Sequence, residues 1–87
     1  MADLHAEVLL YTTRRRDTPP HFACLCAING PEHHWEAHID LPLVRGERRR
    51  VGFVFLSGRK AADEMRAAGK FYLYEVNKRI GEAVVQD

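Results

Sequence analysis

Residues 34–41 have the sequence HWEAHIDL, in which polar and apolar side chains alternate at every position. Successive side chains of a β-strand point to opposite faces, so this alternation indicates a strand. The apolar face carries Trp35, Ala37, Ile39 and Leu41, and the polar face carries His34, Glu36, His38 and Asp40. The stretch therefore predicts an antiparallel strand with one face in the core and one face in water.

The same period of two recurs on both sides of this stretch. Runs rich in Val, Tyr, Phe and Thr alternate with turns that contain Pro, Gly or Asn. The paired prolines Pro19 and Pro20 cannot lie in a central strand, so we expect a loop before the second run. The predicted strands are 5–13, 21–28, 34–41, 49–56, 70–76 and 78–85.

One segment, 59–68, has the composition of a helix. It is rich in Ala, and Gly69 behind it suits a left-handed C-terminal cap. A helix this short is marginal alone, so we expect it to dock through Ala62 and Met65, with Ala61 and Ala68 as further candidates. Many short strands with one helix predict a single domain over residues 1–87, closed or nearly closed into a barrel that protects its edges. The expected core residues are Trp35, Ile39, Phe53, Phe55, Phe71 and Leu73.

Composition and charge exclude several classes of protein. The chain has 13 Lys and Arg against 12 Asp and Glu, a net charge of +1, which is far from the excess expected of a dedicated DNA-coating protein. No apolar run approaches the ~18 residues of a membrane span, and the first residues lack the pattern of a signal peptide. We therefore expect a cytoplasmic protein with no membrane contact.

Two triple-arginine runs are the main local features of the charge pattern. They consist of Arg14, Arg15, Arg16 and of Arg48, Arg49, Arg50. Each run is either a solvated turn or strand start, or part of a phosphate-binding patch.

The two cysteines, Cys24 and Cys26, are separated by one residue and would share one face of a strand. Their spacing of ~6.6 Å along a strand is poor geometry for a disulfide. We expect two small buried side chains, with a redox or metal role as the alternative.

The motifs of common enzymes are missing from the sequence. It contains no phosphate-binding loop, and its only serine, Ser57, is not in a nucleophile elbow. His34 and His38 would lie ~13 Å apart on one strand face, too far apart to share a metal ion. We expect no enzyme, cofactor or bound nucleotide, and a metal site only if other strands completed it.

Residues 69–85 resemble the last hairpin of the third, C-terminal domain of elongation factor Tu, whose pattern is roughly G-x-R-F-x-I-R-E-G-G-R-T-V-G-x-G-V-V. Residues 4–11 are similar to the opening strand of that domain, and 17–19 to its H-T-P loop. The resemblance covers about 4–86 and implies a six-stranded antiparallel closed β-barrel with one short helix. The shared residues of the hairpin are Phe71, Leu73, Glu75, Arg79, Ile80, Gly81, Val84 and Val85.

The chain departs from this family in two respects. Val76 and Asn77 replace the two glycines of the hairpin turn, which reduces how closely a ligand can approach the backbone. The GTPase domain and the middle barrel of the family are absent from the 87 residues. We therefore expect a stand-alone module without the GTPase activity.

In the family, this barrel contacts the backbone of the tRNA T-stem and docks on other proteins. The resemblance thus implies a non-enzymatic module that binds tRNA or another structured RNA. Both triple-arginine runs are then possible contacts of the RNA phosphates. The alternatives are a protein-interaction module with a translation-related partner, and a small-ligand or metal protein. The implied RNA-binding residues are Glu75, Val76, Asn77, Lys78 and Arg79.

Because the sequence lacks a phosphate-binding loop, we predict that the purified protein neither binds nor hydrolyses GTP. The measurement is GTP turnover together with a fluorescent-nucleotide titration. Turnover that a point substitution in this chain abolished would contradict the prediction.

Overall fold

A computed structural model describes residues 1–86 of the chain. These residues form six strands and one helix. The predicted helix and the predicted last strand have the observed bounds, whereas each of the five other strands ends one to three residues earlier than predicted. The elements are β1 Leu4–Leu10, β2 Ala23–Ala27, β3 Trp35–Ile39, β4 Arg48–Phe55, α1 Arg59–Ala68, β5 Lys70–Glu75 and β6 Lys78–Val85.

The strands close into one barrel in the order β1-β4-β3-β2-β5-β6, with every pair antiparallel. β1 closes it, because it pairs with β4 on one side and with β6 on the other. In the β1–β6 pair, Ala6 lies opposite Val85 and Leu10 lies opposite Gly81. The predicted all-β, six-stranded antiparallel barrel is confirmed.

Five of the six predicted core residues are buried in the barrel interior: Ile39, Phe53, Phe55, Phe71 and Leu73. Phe53 stacks with Phe55 and meets Phe71 edge to face, with ring centroids 6.0 and 5.2 Å apart respectively. Trp35 is only half-buried, because it is the first residue of β3 and packs on the core from one end. The exposed side chains include His34, Glu36 and His38, so the predicted register of β3 is confirmed.

The prediction was wrong for Leu41, which is 51% exposed. β3 ends at Ile39, and the carboxylate of Asp40 then accepts a hydrogen bond of 2.8 Å from the backbone amide of Gly52. β3 therefore ends two residues before the predicted end of the strand at Leu41. Leu43 is the next apolar side chain that reaches the core.

Cys24 and Cys26 face the core from β2 as free thiols, with their Sγ atoms 3.9 Å apart. Burial, and to a lesser extent the neighbouring Cys24, raises the pKa of the Cys26 thiol well above its ordinary value. A thiol that remains protonated packs as a small apolar side chain. The predicted burial of both cysteines is confirmed.

The helix α1 packs on β4 and β5. Its buried residues are Ala61, Ala62 and Met65, all of them predicted, whereas the remaining candidate, Ala68, is exposed at the end of the helix. Gly69 takes the left-handed conformation expected of a C-terminal cap, and its amide donates to the carbonyl of Met65 at 2.9 Å.

The antiparallel order separates the connections into two groups. The connections 11–22, 40–47 and 76–77 all lie at one end of the barrel, since each follows a strand that runs towards that end. We call this the arginine end, because it contains the first triple-arginine run and receives the start of β4. The connection 28–34 and the segment with α1 lie at the opposite end.

The closure of β1 on β6 gives a stability prediction for Gly81→Ala. A Cβ atom on Gly81 would lie 2.7 Å from the carbonyl oxygen of Leu9, so one of the two strands must move. Overpacking of this kind costs about 1–3 kcal/mol, which thermal or urea unfolding measures. Val84→Ala, a change at an exposed position of the same strand, is the control and should cost well under that amount. A Gly81→Ala variant as stable as the parent would contradict the observed approach of the strands.

Candidate functional site

A shallow cleft of about 270 Å³ opens at the arginine end. It brings together the first triple-arginine run and the final hairpin, which the sequence proposed separately. Its lining consists almost entirely of charged side chains, with one apolar residue beneath them. The lining residues are Arg14, Arg15, Arg16, Glu75, Lys78 and Ile80.

Arg14 and Glu75 form a two-pronged ion pair inside this cleft. The Nε and Nη2 atoms of Arg14 donate to Oε1 and Oε2 of Glu75 at 2.9 and 3.0 Å. The Nη1 atom of Arg14 donates to the carbonyl oxygens of Arg16 at 2.6 Å and of Asp17 at 3.1 Å. The Arg14 guanidinium also lies 5.1 Å from the ring centroid of Phe22. Because these contacts use the guanidinium on several sides, Arg14 organises the loop instead of being offered to a ligand.

The ion pair shifts the pKa of both partners away from neutrality. The hydrogen bonds from Arg14 are the main cause that lowers the pKa of the Glu75 carboxyl below its ordinary value of 4.5. The same bonds are the main cause that raises the pKa of Arg14. Both groups are therefore charged at neutral pH, and together they contribute no net charge to the cleft.

Three cations remain around the cleft: Arg15, Arg16 and Lys78. All three are exposed, and within residues 1–86 none of their side chains forms an ion pair with a carboxylate. Lys78 is close enough to Glu75 to help lower the pKa of that carboxyl. The positive charge of the site therefore comes from these three side chains.

Two further contacts fix the loops around the cleft. The carboxylate of Asp17 accepts from the backbone amide of Arg45 at 2.9 Å, the main cause that lowers the pKa of Asp17. The buried hydroxyl of Thr18 accepts from the amide of Leu43 at 2.7 Å. These bonds join the connections 11–22 and 40–47, so 11–22 is held by 40–47 on one side and by the Arg14–Glu75 pair on the other. Sequence reasoning missed this role, because the bonds cross more than 20 residues of chain.

The second triple-arginine run does not line the cleft. Arg48 lies on the outer wall, with its Nη1 atom 3.9 Å from the carboxylate of Glu7. Arg49 donates to the carboxylate of Glu47 at 3.1 Å and to the carbonyl of Pro42 at 3.3 Å. Arg50 is exposed on β4. The two runs thus share one end of the barrel but do not form one surface with the cleft.

The hairpin turn beside the cleft holds a strained residue. Val76 has φ of 56°, a region that β-branched residues rarely adopt, and its side chain is 77% exposed. His21, in the connection 11–22 at the same end, has φ of 59°. Within residues 1–86 these are the two non-glycine residues with positive φ, and strain of this kind is concentrated at binding sites. Asn77 lies beside Val76 at the exposed tip of the turn.

Arg79 does not line the cleft with Lys78, because neighbouring residues of a strand point to opposite faces. Its Cζ atom lies 4.0 Å from the ring centroid of Tyr72 on the outer wall. Hydrogen bonding to the hydroxyls of Tyr74 and then Tyr11 raises the pKa of Arg79. Sequence reasoning grouped Arg79 with Lys78 as one RNA contact and missed these tyrosines.

Metal-binding clusters and membrane-spanning helices are both absent from the described residues 1–86. No group of three or more His, Cys, Asp or Glu among them is placed to hold a metal ion. The ring of His33 packs edge-on against Trp35, with centroids 4.7 Å apart. None of the helices in this part of the chain is long and apolar enough to cross a membrane.

Comparison with known proteins gives no relative from which a function can be transferred. No family model, curated protein or solved structure matches the chain. The resemblance to the C-terminal domain of elongation factor Tu therefore stays a prediction, and the function has to be argued from the site.

The Arg14–Glu75 pair predicts a pH-dependent stability difference for Glu75→Gln. The folded-state pKa of Glu75 lies below 4.5, so the stabilisation is present above that pH and is lost as the pH falls through the folded-state pKa. At pH 7 the variant should be less stable by up to about 1 kcal/mol, since the pair is partly exposed. Unfolding in urea at several pH values measures the difference, which should shrink towards pH 3.

The control is Glu32→Gln, at an exposed glutamate without an ion pair within residues 1–86. Its effect on stability should be small at every pH. A Glu75→Gln difference that stayed constant with pH would show that the pair contributes little electrostatic stabilisation.

Proposed function

We propose that this barrel is a non-enzymatic RNA-binding module that holds the RNA backbone at its arginine end. One observation carries the proposal: the connection 11–22 and the final hairpin meet at one cleft, where Arg15, Arg16 and Lys78 have no carboxylate partner among the described residues 1–86. Exposed cations that converge on a concave surface are the usual contacts of phosphate groups.

The chemistry of the cleft favours recognition of the backbone over recognition of sequence. Its side chains are cations, one carboxylate and Ile80, so it contains few of the groups that distinguish one base from another. A net charge of +1 for the whole chain gives little long-range attraction. We therefore expect moderate affinity, weak sequence preference and a steep dependence on salt, with tRNA or another structured RNA as ligand.

Glu75 supports RNA over DNA as the ligand. Its carboxylate is 41% exposed while Arg14 donates one hydrogen bond to each of its oxygens, and a carboxylate oxygen can accept a second bond. A ribose 2′-hydroxyl is a donor that DNA lacks at that position. A carboxylate among phosphate-binding cations thus suits a ribose phosphate backbone.

A second candidate function is a protein-interaction module. It is favoured by exposed apolar side chains away from the cleft, with Val54 42% and Leu56 61% exposed on the side of β4. The near-neutral net charge is also compatible with a protein partner, such as a translation-related one. These side chains are few, so the cleft remains the better supported site.

The test is a titration of tRNA at two or more salt concentrations with the double variant Arg16→Ala, Lys78→Ala. Each lost phosphate contact should reduce the slope of log affinity against log salt by about one unit. We expect weaker binding and a slope shallower by up to about two units, measured by fluorescence anisotropy.

The matched control is Arg59→Ala, Lys60→Ala, which removes the same charge at the opposite end of the barrel. It should leave the salt slope close to that of the parent. Equal losses in both variants would indicate a general charge effect and contradict the cleft as the site. A parent protein that bound no RNA at low salt would favour the protein-interaction module.

A further inference from the structure

A planar cation lies over an aromatic ring on the outer wall next to the cleft. The guanidinium of Arg79 covers the ring of Tyr72 at 4.0 Å, and the Nζ atom of Lys70 lies 5.8 Å from the same ring centroid. Arg79 is exposed, whereas Tyr72 beneath it is partly buried. We call Arg79 and Tyr72 the stacking platform. One face of its guanidinium is thus occupied, and the residue remains open to solvent.

The surroundings hold the platform in place. The hydroxyls of Tyr74 and Tyr11 are near enough to raise the pKa of the Arg79 guanidinium. The Tyr11 hydroxyl also donates to Oε1 of Glu82 at 2.9 Å. A side chain that is stacked on a ring loses less rotational freedom when a ligand binds than a free surface arginine does.

The charge balance around the platform differs from that of the cleft. One carboxylate, that of Glu82, belongs to this wall: Glu82 lies opposite Tyr72 in the β5–β6 ladder, and its Oε1 atom accepts a hydrogen bond from the Tyr11 hydroxyl at 2.9 Å. The cations on the wall are Arg79 and Lys70, and both lie over the ring of Tyr72. A planar cation that rests on an aromatic ring presents a surface that suits an uncharged aromatic base. Arginine planes and aromatic side chains are the surfaces on which unpaired RNA bases stack.

The platform and the cleft are adjacent through consecutive residues. Lys78 lines the cleft, and Arg79, the next residue of β6, is the upper layer of the platform. Their Cα atoms are about 3.8 Å apart across one peptide bond. Neighbouring parts of one RNA strand can therefore occupy the two surfaces, with a phosphate in the cleft and a base on the wall.

We propose that the stacking platform binds one unpaired base of the RNA whose phosphates occupy the cleft. The preferred ligand is then an RNA helix that ends in, or is interrupted by, an unpaired nucleotide, and a continuous duplex binds less well. This inference rests on the proposed function and adds the class of RNA to it.

The experiment compares RNA hairpins that share one stem. One hairpin is blunt, and two others carry a single unpaired 2-aminopurine nucleotide at the 5′ or the 3′ end. Because one stacked base contributes substantially to affinity, the parent protein should bind one of the extended hairpins about tenfold more tightly than the blunt hairpin. Stacking should also quench the fluorescence of the 2-aminopurine in that complex.

Two variants test the platform itself. Arg79→Lys keeps the charge but removes the plane, and Tyr72→Leu removes the ring below it. Each should abolish most of the preference for the extended hairpin and restore the fluorescence, while affinity for the blunt hairpin stays within about twofold of the parent. Arg79→Lys changes an exposed side chain, so it tests stacking even where Tyr72→Leu lowers stability. The control is Arg50→Lys, at an exposed arginine of β4, which should leave the preference unchanged.

The outcomes separate the two proposals. If the parent binds all three hairpins equally, the platform inference is wrong and backbone binding at the cleft stands. A preference that survives Arg79→Lys also overturns the inference. If the parent binds none of the hairpins at low salt, both the inference and the proposed function are wrong.

Discussion

Pairing of the first strand with the last is the constraint on which the rest of this structure depends. β1 pairs with β4 and β6 at once, and this closes the sheet so that it has no unpaired edge. The closure places the segment that follows β1 beside the turn between β5 and β6, although these lie at opposite ends of the chain. Gly81 permits the close approach, because a Cβ atom there would meet the carbonyl oxygen of Leu9. The cleft and the stacking platform both lie along this seam.

At the arginine end, one ion pair divides the cations into two groups. Arg14 is directed inward, where Glu75 and two backbone carbonyls satisfy its guanidinium. Arg15, Arg16 and Lys78 are left facing solvent around it. An arginine used in this way stabilises the loop that carries its neighbours, and the neighbours supply the positive charge. The strained backbone at Val76 is held beside this pair, since the hairpin must turn next to Glu75.

The two outer surfaces next to the seam have different chemistry. In the cleft, three cations face one carboxylate that is already paired. On the wall, the Arg79 guanidinium lies over the ring of Tyr72 and is exposed to solvent. Charge of one sign suits phosphates, whereas a flat cation over a ring suits a base. This difference is the physical reason for assigning separate roles to two consecutive residues, Lys78 and Arg79.

The sequence by itself determined the elements of this protein and their inward faces. The alternation in 34–41 predicted the register of β3, and the alanine-rich segment with Gly69 predicted the bounds of α1, because both signals depend on neighbours within a few residues. Only the tertiary structure decided which arginine is free, since the partner of Arg14 lies 61 positions away in the chain. It also decided that β3 stops before Leu41, because the Asp40 carboxylate is captured by a backbone amide of β4. The tertiary structure also decided that Arg79 stacks on Tyr72, because the pairing of strands determines which side chains meet. The local pattern indicates only which side chains are exposed.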